Sequence, residues 1–195
     1  MLEKFSPEAA AQFLPAILRR EITLKEGIHH TLGSIQAVHY AEIIEFISHQ
    51  PTRPGLKEFL EFLNYAEVPF IVISDGLIDM IKAVLAVLER QQLLGNVRAI
   101  YAGEVDATGS LLRPYSQIAS DTEFVAKARA MNLYSAEEKI AIGDSVTDIN
   151  MALAADLVFA RDRLRQYLDT EDKPYLLWQN FFDIKDRLAT RWQVS

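Results

Sequence analysis

The 195 residues contain no cysteine. That excludes disulfide scaffolds, zinc–thiolate sites, iron–sulfur clusters and thiol nucleophiles together. Basic residues are also scarce: 20 Lys and Arg stand against 27 Asp and Glu, a formal net charge of −7. Broad nucleic-acid binding runs on basic surface, so no nucleic acid is expected as a partner. There is no uninterrupted hydrophobic run of membrane-spanning length. The most apolar stretch, Val68 to Leu88, is broken by Asp75, Asp79 and Lys82, so no membrane is expected either. Met1-Leu2-Glu3-Lys4-Phe5 carries an early acid and lacks the apolar core of a secretory signal. The expected location is therefore cytoplasmic. Neither a Walker A loop nor G-x-G-x-x-G occurs. Nothing in the sequence sets an oligomeric state. What remains, half hydrophobic and a quarter charged, is the composition of a folded domain.

The first fifty residues read as helices only. Pro7 stands at a helix start after Ser6, and Thr23 is an N-cap candidate before Leu24, Ile28 and Leu32. Pro51-Thr52-Arg53-Pro54-Gly55 then punctuates the chain. Beyond it helices and strands alternate. Leu56 to Tyr65 is an amphipathic helix, and Phe70 to Ile73 a continuous apolar run of the kind found in strands buried on both faces. Leu77 to Gln91 reads as a helix, Val97 to Ala102 as a strand, and Asp106 to Gly109 as a turn between short strands. A helix over Asp121–Met131 follows, capped by Asp121. Strands at Lys139–Ile142, Leu157–Phe159 and Tyr175–Leu177, and a final helix near Asn180–Thr190, complete the pattern. Repeated strand–helix units imply an α/β, doubly wound parallel sheet, with residues 1–50 as a helical cap and 51–195 as the α/β core.

In such sheets ligands bind beyond the carboxyl ends of the strands. The most polar strand ends are Ser74-Asp75-Gly76 and Gly143-Asp144-Ser145-Val146-Thr147-Asp148. Two carboxylates four residues apart, on a strand-end loop and a first helical turn, can reach one hard cation. The same spacing also makes an ordinary capping box, with Ser145 as cap and Asp148 at N3. Ser74 and the N–H groups after it can hold a phosphate oxygen, or Ser74 can simply cap the helix that follows. His29 and His30 point about 100° apart on a helix and make a poor metal pair. Trp178, Phe181, Phe182 and Trp192 read as core or interface.

These two strand ends resemble motifs two and four of the haloacid dehalogenase-like (HAD) hydrolase superfamily. Within it they are most similar to the phosphoserine-phosphatase-like group that includes phosphatases of methionine salvage. Leu24-Lys25-Glu26-Gly27 and Phe159-Ala160-Arg161-Asp162 add to the likeness, which runs over roughly residues 5 to 190. The resemblance implies a HAD-like Rossmannoid core with an N-terminal helical cap. It implies Mg²⁺-dependent hydrolysis of a small phosphorylated metabolite, through an aspartyl phosphate that water then cleaves. It also implies that Asp144 and Asp148 hold Mg²⁺, directly or through water, and that Ser74 and the N–H of Gly76 hold phosphoryl oxygens.

The sequence departs from the family pattern in three places, one of them Asp75, which stands where relatives often have a second Gly. It contains no Asp-x-Asp, the family's first motif, so no residue present is expected as nucleophile or general acid. The expectation is that the nucleophile lies upstream of Met1, that the cap is incomplete at its front, and that the 195 residues alone are inactive. The alternative is a non-catalytic relative that binds a metal or phosphorylated ligand, or an interaction module. The family's third motif is a Lys at the start of the helix before the metal strand. With that helix starting at Asp121, Lys127 stands about 9 Å further along the axis, a remote candidate for phosphate. In the family the first strand lies between the runs Phe70–Ile73 and Lys139–Ile142. Without it, either a slot remains there or the two runs pair directly.

Overall fold

The computed structural model describes residues 1–194; Ser195, the end of the expected 51–195 core, lies outside the described residues. The chain divides into two compact units. The first comprises Met1–Gln50, Ile73–Ala86 and Ile100–Ala126, and the second Pro51–Val72, Val87–Ala99 and Lys127–Ser195.

The first unit opens with helices, as its sequence predicts: α1 (Leu2–Phe5), α2 (Pro7–Leu18), α3 (Leu24–Gly33) and α4 (Tyr40–Ser48). Thr23 caps α3 in a full capping box. Its side chain accepts from the Glu26 N–H, and Glu26 accepts from the Thr23 N–H, so two orphan donors are satisfied. The unit's core is Leu32, Ile35, Ile43, Leu77, Met80 and Leu112.

Two strands run through both units, β1 (Phe70–Leu77) and β2 (Val97–Asp106), with α6 (Ile78–Arg90) between them. The expected turn at Asp106–Gly109 joins β2 to β3 (Arg113–Tyr115) in an antiparallel hairpin, with Asp106 opposite Arg113. At Gly103 on β2 a Cβ would come within 2.3 Å of the ring of Phe124, which is fully buried and cannot retreat. Gly103→Ala is expected to lower stability by about 1–3 kcal/mol, the range for overpacking a tight core. A urea denaturation curve checks it.

The second unit contains α5 (Leu56–Tyr65), α7 (Lys127–Asn132), β4 (Ile140–Gly143), α8 (Ile149–Ala154), β5 (Leu157–Ala160), α9 (Asp162–Thr170), β6 (Leu176–Leu177) and α10 (Phe181–Trp192). Strands β4, β5 and β6 form a parallel sheet in that order, with Gly143 opposite Ala160 and Ala160 opposite Leu177. Phe59, Phe62, Leu63, Phe159, Trp178, Ile184 and Leu188 form the core around it.

Three local readings are corrected. The helix expected from Asp121 begins at Lys127 instead. Glu123 N–H is taken by the Ser120 hydroxyl and Val125 N–H by the Asp75 carboxylate, while Phe124, Val125 and Ala126 are buried together, a burial that one helical stripe cannot provide. Ser74-Asp75-Gly76 does not open a helix but continues β1, and α6 starts at Ile78. Ser74 therefore stands within the strand, and its hydroxyl accepts from the Gly76 N–H at 3.1 Å. Helix α9 was not anticipated, because only Leu164 and Leu168 carry its buried stripe.

The apolar strand runs differ in how well they are covered. In β5, Val158, Phe159 and Ala160 are fully buried. In β4, Ile140 and Ile142 are only half-buried, as is every residue of Phe70–Ile73. Strand order supplies the reason: among the described residues β4 stands last in one sheet and β1 last in the other. The carbonyl of Lys139 accepts from Asp156 and Leu157, on the β5 side. Backbone groups alternate along a strand, so those of Ile140 and Ile142 face away from β5, toward the outer edge of the sheet.

Candidate active site

The carboxyl ends of β4, β5 and β6 carry Asp144, Arg161 and Trp178 respectively, the positions where parallel sheets bind ligands. Asp148 closes a 3₁₀ turn over Val146–Asp148 and leads into α8. Its Oδ2 accepts from the N–H groups of Asp144 (2.9 Å) and Ser145 (3.0 Å). Its Oδ1 accepts from Lys127 Nζ at 2.7 Å, and the same ammonium donates to Thr147 Oγ1 at 2.8 Å. Lys127 and Asp148 are among the few buried charged residues, 5% and 7% exposed. A buried ion pair is tolerable only with such hydrogen bonding on both partners.

Gly143 makes this arrangement possible. A Cβ there would stand 2.7 Å from Asp148 Cβ and 2.8 Å from Oδ2. The glycine of the motif thus leaves room for the Asp148 carboxylate against the strand. Its carbonyl accepts from Trp178 Nε1 at 3.1 Å, in a buried bond that ties β4 to the end of β6.

Asp144 is different. Its carboxylate lies nearly half exposed, and its near charged neighbour is Arg53, with Nη2 3.8 Å from Oδ2. Burial, and then the Asp148 carboxylate, push the Asp144 carboxyl above its ordinary range, against smaller opposing pulls from Arg53 and Arg161. The folded protein therefore holds this proton more tightly than the unfolded chain does. Stability falls as pH rises from the ordinary Asp value through the raised one, and the loss persists at neutral pH. Asp144→Asn is expected to raise the thermal midpoint at pH 7 and to flatten that fall. Melts at pH 4 and pH 7 check it.

A hard cation such as Mg²⁺ takes oxygen ligands, often one or two carboxylates with water and phosphate oxygens completing the shell. Asp144 fits such an ion, being a carboxylate not committed to amide donors. Both Asp148 oxygens already accept hydrogen bonds, so a link from Asp148 would use a remaining lone pair or a water. Among the described residues no group of three or more His, Asp or Glu is placed to hold a metal.

Asp144, Asp148 and Lys127 thus come together in the second unit, and Lys127 stands at the first position of the helix before the metal-loop strand. Ser74 and Gly76 belong to the first unit. So does Asp75, whose carboxylate accepts from the Val125 N–H. His29 and His30 pack on rings, His30 stacked on Phe13 at 4.4 Å and His29 edge-on to Phe124 at 5.7 Å. Trp178 is core, as expected. The sequence reading gave no role to Thr147, Arg53 or Arg161. Arg161 was within reach of the rule that polar residues after strands matter; Arg53 was not.

A family model for haloacid dehalogenase-like hydrolases matches residues 7–153. The chain belongs to the haloacid dehalogenase-like hydrolase family. It is 48% identical over 191 residues to a 2-hydroxy-3-keto-5-methylthiopentenyl-1-phosphate phosphatase of Microcystis aeruginosa, covering 98% of this chain and 90% of that protein. It is 29% identical over 204 residues to the phosphatase of the same name from Bacillus cereus strain AH820, covering 100% and 90%. The fold is similar to that of a phosphoserine phosphatase solved as a phospho-aspartyl intermediate analogue. The TM-score is 0.66 at 13% identity, over 98% of this chain and 90% of the other. The HAD superfamily, expected from the strand-end motifs, is therefore the right assignment, and the fold is similar to that of phosphoserine phosphatases.

Proposed function

We propose that this protein is a Mg²⁺-dependent phosphomonoester hydrolase of the HAD family, acting on a small phosphorylated metabolite of the kind named for its relatives, a phosphorylated methylthio-keto-enol. The observation that carries the reading is the Asp144 carboxylate, left without an amide donor beside the buried Lys127–Asp148 lock at the carboxyl ends of a parallel sheet. In this reading Asp144 ligates the cation. Asp148 orients the loop by accepting from the N–H groups of Asp144 and Ser145, and Lys127 brings positive charge toward the phosphoryl group. Ser74 and Gly76, which the family resemblance assigns to phosphoryl oxygens, lie in the first unit, where the Gly76 N–H donates to the Ser74 hydroxyl. When bound, Mg²⁺ neutralises phosphate charge and aligns the attack.

The nucleophile is an Asp that these 195 residues do not supply, since no Asp-x-Asp occurs in them. The half-buried apolar strand β4 supports the same reading, because it stands last in its parallel sheet among the described residues, and such a strand is suited to receive another. The test translates the in-frame codons ahead of Met1 together with this chain and measures phosphate release from small phosphomonoesters. The expected result is Mg²⁺-dependent release that Asp144→Asn abolishes. An extended chain that carries Asp-x-Asp-x-Thr and remains silent across such esters would overturn the reading in favour of a non-catalytic binder.

A further inference from the structure

Two guanidinium groups gather beside Asp144 on one platform. Arg53, just ahead of α5, donates through Nη1 to the Gln179 carbonyl at 3.3 Å, and its guanidinium carbon stands 5.3 Å from the centre of the Trp178 ring. Arg161 uses the same supports, donating to that carbonyl at 2.9 Å and standing 5.5 Å from the same ring. Trp178 is itself pinned to the Gly143 carbonyl, one residue before Asp144. A long, free arginine loses much rotamer entropy when it is held in one place. Here a carbonyl and an aromatic face hold it. Arg161 spends its Nε on Asp162 at 2.8 Å, and Arg53 aims its Nη2 at Asp144 Oδ2 from 3.8 Å. Each guanidinium already has a carboxylate, so the cluster is balanced in charge and is a poor anion receptor.

We propose that Arg53 is a resident counter-charge for Asp144, which competes with the divalent cation and keeps its binding weak and readily reversed. The proposal rests on the reading of Asp144 as a cation ligand. A cation bound about 2 Å from a carboxylate oxygen would stand within roughly 6 Å of the Arg53 charge. The platform on Trp178 and Gln179 prevents that charge from swinging freely away. Repulsion between a monovalent and a divalent charge at that separation, in a partly solvated setting, amounts to roughly five- to tenfold in affinity.

The test is Mn²⁺ binding, read from the electron paramagnetic resonance signal of the free ion, on the 195-residue protein. Arg53→Gln is expected to bind Mn²⁺ five- to tenfold more tightly than wild type, Arg53→Lys to stay near wild type, and Asp144→Asn to lose binding. Arg161→Gln leaves the Arg53–Asp144 contact in place and is expected to gain only about twofold, which keeps the proposal open to test if Arg53→Gln does not fold. The advantage of Arg53→Gln should shrink as salt is raised. Unchanged or weaker binding by Arg53→Gln, or no binding by any variant, overturns the proposal. Wild-type binding by Asp144→Asn removes the underlying assignment of Asp144 instead, so the two failures are distinguishable.

Discussion

Lys127→Met is expected to destabilise the protein by about 3–5 kcal/mol, the range for removing one partner of a buried ion pair. The ammonium is 6% exposed at its side chain and the Asp148 carboxylate 9%, so water replaces little of what the lysine supplies. Asp148 would keep the N–H groups of Asp144 and Ser145 but lose its counter-ion, and Thr147 would lose its donor. A domain's whole stability is only ~5–15 kcal/mol, so the urea midpoint should fall by about a fifth or more. The double variant Lys127→Met/Asp148→Asn removes the stranded charge and should recover part of the loss. A double-mutant cycle then reports the coupling directly.

Gly143→Ala is expected to cost about 3 kcal/mol and to disturb the site as well as the fold. The new methyl group would overlap Asp148 Cβ and Oδ2, and Asp148 is fixed by its own turn and cannot rotate clear. Overpacking alone costs about 1–3 kcal/mol. Displacing a carboxylate from amide donors adds about 1.5–3 kcal/mol for a charged hydrogen bond, less whatever water restores. Because Asp144 and Asp148 share that loop, Mn²⁺ binding should weaken in parallel with the thermal midpoint. A variant that melts like wild type would show that the loop has slack which the close approach at Gly143 denies.

The same residues show what a sequence can and cannot disclose. Asp144 and Asp148 were legible because a strand run followed by Gly-Asp-Ser-x-x-Asp fixes both their spacing and their place on the sheet. Both readings of that spacing coexist: Asp148 accepts from the Ser145 N–H as a capping residue does, and the same bond leaves Asp144 as the exposed carboxylate. The place of Lys127 on its helix is not legible, because Asp121-Thr122-Glu123 looks locally like a helix start. Burial of Phe124, Val125 and Ala126, and the bond from Val125 to Asp75, override that local signal and delay the helix by six positions. Leu56–Tyr65 agreed to the residue, because its apolar period and the glycine before it act within the segment itself. Arg53 and Arg161 lie more than a hundred residues apart in sequence, and only the folded end of β6 brings them to one tryptophan. No local pattern encodes that meeting.

Phosphate release by the 195-residue chain alone, with Mg²⁺ and a phosphorylated keto-enol or a generic small phosphomonoester, shows whether a nucleophile lies among these residues. With the proposed cation ligand Asp144 in this chain and no Asp-x-Asp in it to attack phosphorus, the expected result is release no faster than in buffer, from a protein that still binds Mn²⁺ through Asp144. Mg²⁺-dependent turnover by these 195 residues, abolished by Asp144→Asn, would contradict it, because a nucleophile would then have to be present among them.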